Sequence, residues 1–295
     1  MLTSSLLAHE PAIRLTAFFF AFAAMATWEV LAPRRVPALP RARRWTNNLA
    51  LLLINSVLVR LLFPAAAVGF AAFAESHSMG LLQTWEIPQT LAIVASLALL
   101  DVGIYLQHRL FHALPLLWRL HCVHHADLDF DATTGTRFHP IEIALSMGIK
   151  FLVIVTLGPP VLAVLMFETL LNVTALFNHS NIRLPLKLDG AFRRWLVTPD
   201  MHRIHHSIDR AEMNSNFGFC FSLWDRVLGT YTHVPKLGHI AMTIGIPEQP
   251  DPASVVNLSG LLAMPFRHMA RLSLSSSHEL VDRAPHEVGE RDGKH

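Results

Sequence analysis

The sequence predicts an all-α, multi-pass membrane protein. About four membrane-crossing helices are expected, topped by a cytoplasmic helical cap that holds a histidine-rich di-metal site. Three observations carry this. The 295-residue chain is 52% hydrophobic and only 16% charged, too apolar for an ordinary soluble domain. Its apolar residues gather in four long stretches. Eight histidines fall in three tight clusters outside those stretches.

The first stretch runs from Ile13 to Ala32 and the second from Leu49 to Ala74. Each is long enough for a bilayer core, which takes about 20 helical residues. The first is not read as a cleaved signal, because its leader, Met1 to Pro11, has no Lys or Arg. The third, Leu91 to Leu106, reaches spanning length if it begins near Pro88. The fourth, Ile141 to Phe177, is broken by Gly158-Pro159-Pro160 and reads as two short spans or a re-entrant hairpin.

Arg34, Arg35, Arg41, Arg43 and Arg44 follow the first stretch, whereas the loop around Glu75 to Ile87 has no Lys or Arg. By the positive-inside rule the arginine loop is cytoplasmic and the N-terminus outside. The third span then delivers His108 to the cytoplasm, and a hairpin at the fourth stretch keeps all three clusters on that side. The net charge of +2 says little about partners; no nucleic-acid motif appears, the basic residues near Arg34 to Arg44 are explained by topology, and no nucleic-acid partner is expected. Cys122 and Cys220 suggest no disulfide framework. Beyond about Gln249 an apolar run from Val255 to Phe266, flanked by Arg267, His268 and Arg271, reads as an interfacial helix, and the polar end from Ser273 as disordered.

The clusters are His108 and His112 in HRLFH, His121, His124 and His125 in HCVHH, and His202, His205 and His206 in HRIHH. Helical residues at i, i+3 and i+4 share a face, so each cluster is expected to aim its imidazoles at one point. Neutral imidazole is the commonest transition-metal ligand, and eight exceed what one tetrahedral zinc needs. They suit two metals side by side. Iron, zinc and copper all accept imidazole. A haem would use only two axial ligands, and a transporter would place its ligands within the spans. Two further classes stay open: a metal-handling membrane protein and a zinc-dependent hydrolase. His9, His77, His268, His278, His286 and His295 read as solvated or structural, and His233 and His239 as non-ligands.

In a polytopic chain, H-x3-H followed by two H-x-x-H-H boxes resembles the fatty acid hydroxylase/sterol desaturase superfamily. Asp101, Tyr105 and Arg109 resemble the approach to its first box. Arg137-Phe138-His139-Pro140 with Glu142 follows the second, and Asn178-His179-Ser180-Asn181 precedes the third. Thr198-Pro199-Asp200 leads into the third, followed by Asn216-Phe217-Gly218 and Ser222 to Tyr231. The resemblance covers about Asp101 to Tyr231. It implies N-terminal membrane helices over 1–90, a catalytic domain over 91–235 and a C-terminal tail over 236–295.

The resemblance also implies two iron ions, O2 as co-substrate, a membrane lipid substrate, and hydroxylation or desaturation of a C–H bond. Electrons are expected from a separate protein of ferredoxin or cytochrome b5 type. The eight clustered histidines are the implied catalytic ligands, with His139 and His179 extending the metal set. Asp101, Asp127, Glu142 and Asp200 are candidates to orient imidazoles through their second nitrogen. Trp224 and Asp225 are expected to fix the third-box fold. Glu168 and Asn172, polar in an apolar stretch, read as tunnel lining or as an interhelical hydrogen bond. The three-residue spacer in HRLFH departs from fatty acid 2-hydroxylases, which often have four. So do Thr174 and Asn178, which stand where those enzymes carry a further H-x3-H.

Overall fold

The computed structural model describes residues 2–85, 87–248 and 251–267. A short helix, α1 (Leu2–Ala8), leads into α2 (Glu10–Leu31), which has Pro11 in its first turn, where its missing N–H costs nothing. Then come α3 (Arg41–Leu62), α4 (Ala66–Ser76), α5 (Leu81–Thr84) and the 25-residue α6 (Gln89–Ala113). Helix α7 (Pro115–His125) follows after a one-residue break, again with proline at its first position. Helices α8 (Pro140–Leu157) and α9 (Val161–Asn178) complete the membrane part. The remainder is short helices and loops: α10 (Leu186–Phe192), α11 (Pro199–His205), α12 (Arg210–Met213), α13 (Leu223–Val227), α14 (Gly238–Ala241) and α15 (Pro252–Val256). Among the described residues there is no β-strand, only isolated bridges.

Five segments are long and apolar enough to cross a membrane: Glu10–Leu31, Arg41–Thr84, Gln89–Ala113, Pro140–Leu157 and Val161–Asn178. The chain is thus a helical, multi-pass membrane protein with one more such segment than the four stretches suggest. The fourth stretch supplies two of them. Gly158 caps α8 at φ +64°, a conformation that favours glycine, and Pro159 and Pro160 end one helix and begin the next. Helices α4 and α6 pack against both α8 and α9. Ala67, Ala71, Leu100, Ile154 and Phe167 lie in the core they share.

The second stretch, long enough to span, is divided in the structure. It is not one helix. Pro64, which has no N–H to donate, follows the end of α3, and Ala66, at φ +48°, opens α4. At 11 residues, α4 is about 16 Å long, too short to span alone. Helix α3 also starts eight residues before the apolar run, because its polar residues face inward. Arg44, Asn48 and Asn55 are buried. The Arg44 guanidinium donates twice to Asp127 at 2.8 Å and once to Asp131 at 2.6 Å. Asn48 donates to Thr133 Oγ1, and Asn55 to the carbonyl of Phe138.

The arginine loop is fastened along its length to the histidine-bearing end. The Arg34 side chain pairs with Asp200 at 3.0 Å, its backbone N–H donates to the Asn181 carbonyl, and the Arg35 N–H donates to Asn181 Oδ1. Arg41 donates to the Glu29 carbonyl and Arg43 to Asn257. Loop and clusters therefore share one end of the bundle. Glu168 bonds across helices, to Lys150 of α8 at 2.6 Å and Arg14 of α2 at 3.4 Å. The run Val255 to Phe266 is helical, over 252–256 and 258–267. Its Val255 and Leu261 are buried against Leu51 of α3 and Val123 of α7, so its apolar face packs on the protein. His268, Arg271, His278, His286 and His295, with the polar end, lie outside the described residues.

Candidate metal centre

Nine buried or nearly buried imidazoles converge where α6, α7, α9 and α11 meet. They form two groups whose nitrogens each lie within 4.8 Å of one another: His108, His112, His121, His125 and His205, and His124, His179, His202 and His206. The expectation that each cluster aims at one point is corrected. In a helix, residues four apart sit nearly one above the other, while neighbours diverge by about 100°. So His108 with His112, and His121 with His125, enter the five-membered group, and His202 with His206 enters the four-membered one. The third histidine of each box, His124 or His205, crosses to the other group. The groups abut: His125 and His206 stack with centroids 4.4 Å apart.

Local sequence explains the scaffold. Thr198 caps α11, accepting from the Met201 N–H, and Pro199 occupies the first turn. Asp200, clamped by Arg34 and Arg203, holds α11 against the arginine loop. His179 caps α9 and donates from Nδ1 to the Ala175 carbonyl at 2.8 Å. The 3-10 turn Thr134–Thr136 presses on this point. A Cβ at Gly135 would lie 2.6 Å from the Ala175 oxygen and 3.1 Å from His179 Nδ1, so only glycine fits.

Main-chain carbonyls do most of the orienting. His108 Nδ1 donates to the Phe217 carbonyl at 2.9 Å and His205 Nδ1 to the Ser215 carbonyl at 2.8 Å. Of the four acidic candidates, Glu142 alone touches a clustered histidine, accepting from His121 Nδ1 at 2.6 Å. Asp101 instead receives the Cys220 and Phe221 N–H groups and the Trp224 indole. Asp127 receives Arg44 and Thr134, and Asp200 its two arginines. Asp225 receives the N–H groups of Phe217 and Gly218 at 2.8 Å and thereby fixes the carbonyl that meets His108; burial raises its pKa to about 6. Tyr105 reaches Thr230 at 2.7 Å. Sequence inspection had no route to the carbonyl acceptors, which carry no side-chain signature.

His139 is not brought to either group, and its expected place among the ligands is corrected. It caps α8, where Nδ1 accepts from the Ile141 N–H, and Nε2 reaches the Leu262 carbonyl at 3.3 Å. His239 stands by Asp200, outside both groups.

The donor set fits metal ions on an observation independent of motif. A carbonyl only accepts, so His108 and His205 both carry their proton on Nδ1. Their Nε2 atoms then present bare lone pairs, yet they face each other at 3.0 Å. Protonation does not resolve the clash, since burial holds His205 well below the ordinary imidazole range. A shared cation does. Imidazole nitrogens bind such ions at about 2.0–2.1 Å, and two of them at a right angle are then about 3 Å apart. His179 Nε2, likewise bare, faces His124 at 3.1 Å and His202 at 3.0 Å. Neither nitrogen of buried His206, nor Nε2 of His121, has a hydrogen-bond partner. Burial pushes His121 and His179 down to about 3, and burial with imidazole neighbours holds His124, His125, His202 and His206 lower than usual. All are kept in the neutral, metal-binding form. Phe138 stacks on His124 at 4.4 Å, and Phe217 and Phe130 flank the groups, walling them off from water.

Fold and site together define a polytopic helical membrane protein with a buried nine-histidine centre. Residues 93–230 match the family model described as fatty acid hydroxylase, and this part of the chain is similar to the fatty acid hydroxylase/sterol desaturase superfamily. It is 31% identical over 175 residues to the ornithine lipid hydroxylase OlsE of Rhizobium tropici, covering 59% of this chain and 51% of that protein. It is 29% identical over 132 residues to human alkylglycerol monooxygenase, covering 44% of this chain and 28% of the relative. Human cholesterol 25-hydroxylase is 30% identical over 141 residues, 47% of this chain and 50% of that protein. The chain thus spans about half or less of the length of these relatives. No solved structure gives a significant match.

Proposed function

We propose that this protein is an O2-dependent di-iron oxidoreductase that hydroxylates, or desaturates, a C–H bond of a membrane lipid. The facing lone pairs of His108 and His205 carry the metal reading. The names of the relatives, hydroxylases or monooxygenases of ornithine lipid, alkylglycerol and cholesterol, support a lipid substrate. His108, His112, His121, His125 and His205 hold one iron, and His124, His179, His202 and His206 the other. The catalytic domain covers 91–235, on 1–90 as its membrane base, with the centre on the cytoplasmic side where Arg34, Arg35, Arg41, Arg43 and Arg44 lie. A ferredoxin or cytochrome b5 type protein delivers electrons.

When bound, the irons with O2 and donor electrons supply the oxidising power that removes hydrogen from an unactivated C–H bond. The chain's residues prepare the place. Glu142 accepts the His121 Nδ1 proton and makes that imidazole a stronger ligand. The carbonyls of Phe217, Ser215 and Ala175 fix tautomers so that Nε2 faces inward. Phe130, Phe138 and Phe217 exclude water. Hydroxylation and desaturation share the first hydrogen abstraction.

The test is the metal content of protein purified in mild detergent from iron-supplemented cells, beside His205→Ala. Two irons per chain, lost in the variant, with O2 uptake coupled to oxidation of one of the three lipid classes, is the expected result. Two zincs that iron does not displace, or no metal, would overturn it.

A further inference from the structure

The segments 183–195 and 219–228 carry large apolar side chains on their outer surface with nothing packed over them. Leu186 is 75% exposed, Trp195 72% and Val227 66%, and Phe192 and Leu223 are also exposed. The charges exposed among them are Arg183, Lys187, Arg194 and Arg226. The two acids of these segments are withdrawn: Asp189 is buried on Arg193, and Asp225 is buried on backbone N–H groups. The rest of the cap also exposes Val234, Leu237 and Ile240, but it keeps water-exposed acid–base pairs, Arg210 with Glu248 and Lys236 with Asp209.

This face also continues the membrane part. The irregular backbone at 219–222 lies against α6 and α9. Its N–H groups at Cys220 and Phe221 donate to Asp101, and its Phe219 carbonyl accepts from Asn178. Asp101 precedes His108 by seven residues on α6, so this segment reaches about 10 Å further into the spans than the histidines do. Irregular backbone is tolerated at such depth where protein satisfies it, as here. Apolar and aromatic side chains edged by Arg and Lys, with acids withdrawn, match the boundary of an anionic bilayer.

We propose that residues 183–195 and 219–228 are immersed in the headgroup region of the membrane the spans cross, and that Arg183, Lys187, Arg194 and Arg226 engage its anionic lipids. The cap is then not a dome standing in water above the bilayer. One flank of it is seated in the lipid. This does not rest on the metal reading.

The test places nitroxide labels, one at a time, at Leu186→Cys, Val227→Cys and Arg210→Cys in the full chain, reconstituted in nanodiscs with or without phosphatidylglycerol. The native Cys122 and Cys220 are fully buried and stay unlabelled. Collision with O2 reports lipid and collision with a nickel chelate reports water. The expected result is lipid contact at 186 and 227, deeper in anionic discs, and water contact at 210. The extra depth should vanish in a Lys187→Gln/Arg194→Gln background. Nickel access at 186 and 227 equal to that at 210 would overturn the proposal. So would spin–spin broadening that unlabelled chain dilutes away, which would make the face a contact between two copies. Equal immersion in both lipids would overturn its electrostatic part.

Discussion

Replacing Glu142 isolates the support of one proposed ligand, His121, without touching any of the clustered histidines. Its carboxylate accepts from His121 Nδ1 at 2.6 Å, and the two side chains are 5% and 4% exposed, so solvent does not substitute for the bond. Glu142→Gln keeps size and an acceptor oxygen but removes the negative charge that a metal on His121 would favour. A hydrogen bond to a charged group contributes about 1.5–3 kcal/mol and a neutral one about 0.5–1.5. The difference, about 1–1.5 kcal/mol, is close to tenfold in affinity. Glu142→Leu also leaves the buried Nδ1–H unpaired, which costs a further ~1–3 kcal/mol and brings the loss to about a hundredfold or more. The assay is chelator competition for bound metal in detergent-purified protein, with circular dichroism to certify the fold. A graded loss, Gln then Leu, is expected. Wild-type affinity in the Leu variant, or equal loss in both well-folded variants, would refute the reasoning.

Further outcomes follow from the same geometry. Gly135→Ala drives a methyl into the Ala175 carbonyl and His179; overpacking of this kind costs about 1–3 kcal/mol, and metal analysis should show selective loss from the four-histidine group. His179→Ala should lower the metal content, whereas His139→Ala should leave it unchanged and cost about 1 kcal/mol as a lost helix cap, read by thermal unfolding. The metal-free protein should lose stability as pH falls below 6.5. His121 and His179 titrate near 6.5 unfolded but at about 3 folded, so between these values the unfolded state binds more protons and acid favours it; a melting temperature flat from pH 7 to pH 5 would contradict this.

Much of the fold was legible because the bilayer imposes a length and a composition, and the histidine spacing encodes helical faces. The break at Pro64 is hidden from hydropathy, which averages over a proline that the backbone cannot ignore. The three boxes were recognisable, but their partition was not assigned: His124 and His125 are neighbours in sequence and belong to different groups. His139 and His179 look alike in sequence, each flanking an apolar stretch next to a helix end. What separates them is that His139 finds backbone partners for both nitrogens, while His179 has one nitrogen left to turn inward. Asp101, Asp127 and Asp200 were sensible partners for imidazole by type, but arginines and backbone N–H groups reached them first.

The arginine loop has a consequence for how orientation can be measured. The arginines by which the positive-inside rule reads the loop's side of the membrane are the ones that hold it to the histidine-bearing end: Arg34 on Asp200, Arg44 on Asp127 and Asp131. The usual experiment of neutralising or transplanting such charges would therefore unfasten the third histidine box and α3 at the same time as it altered insertion. Any loss of activity would report on both. Reporters of sidedness belong instead in the loop around Glu75 to His77, which carries no Lys or Arg and no clustered histidine.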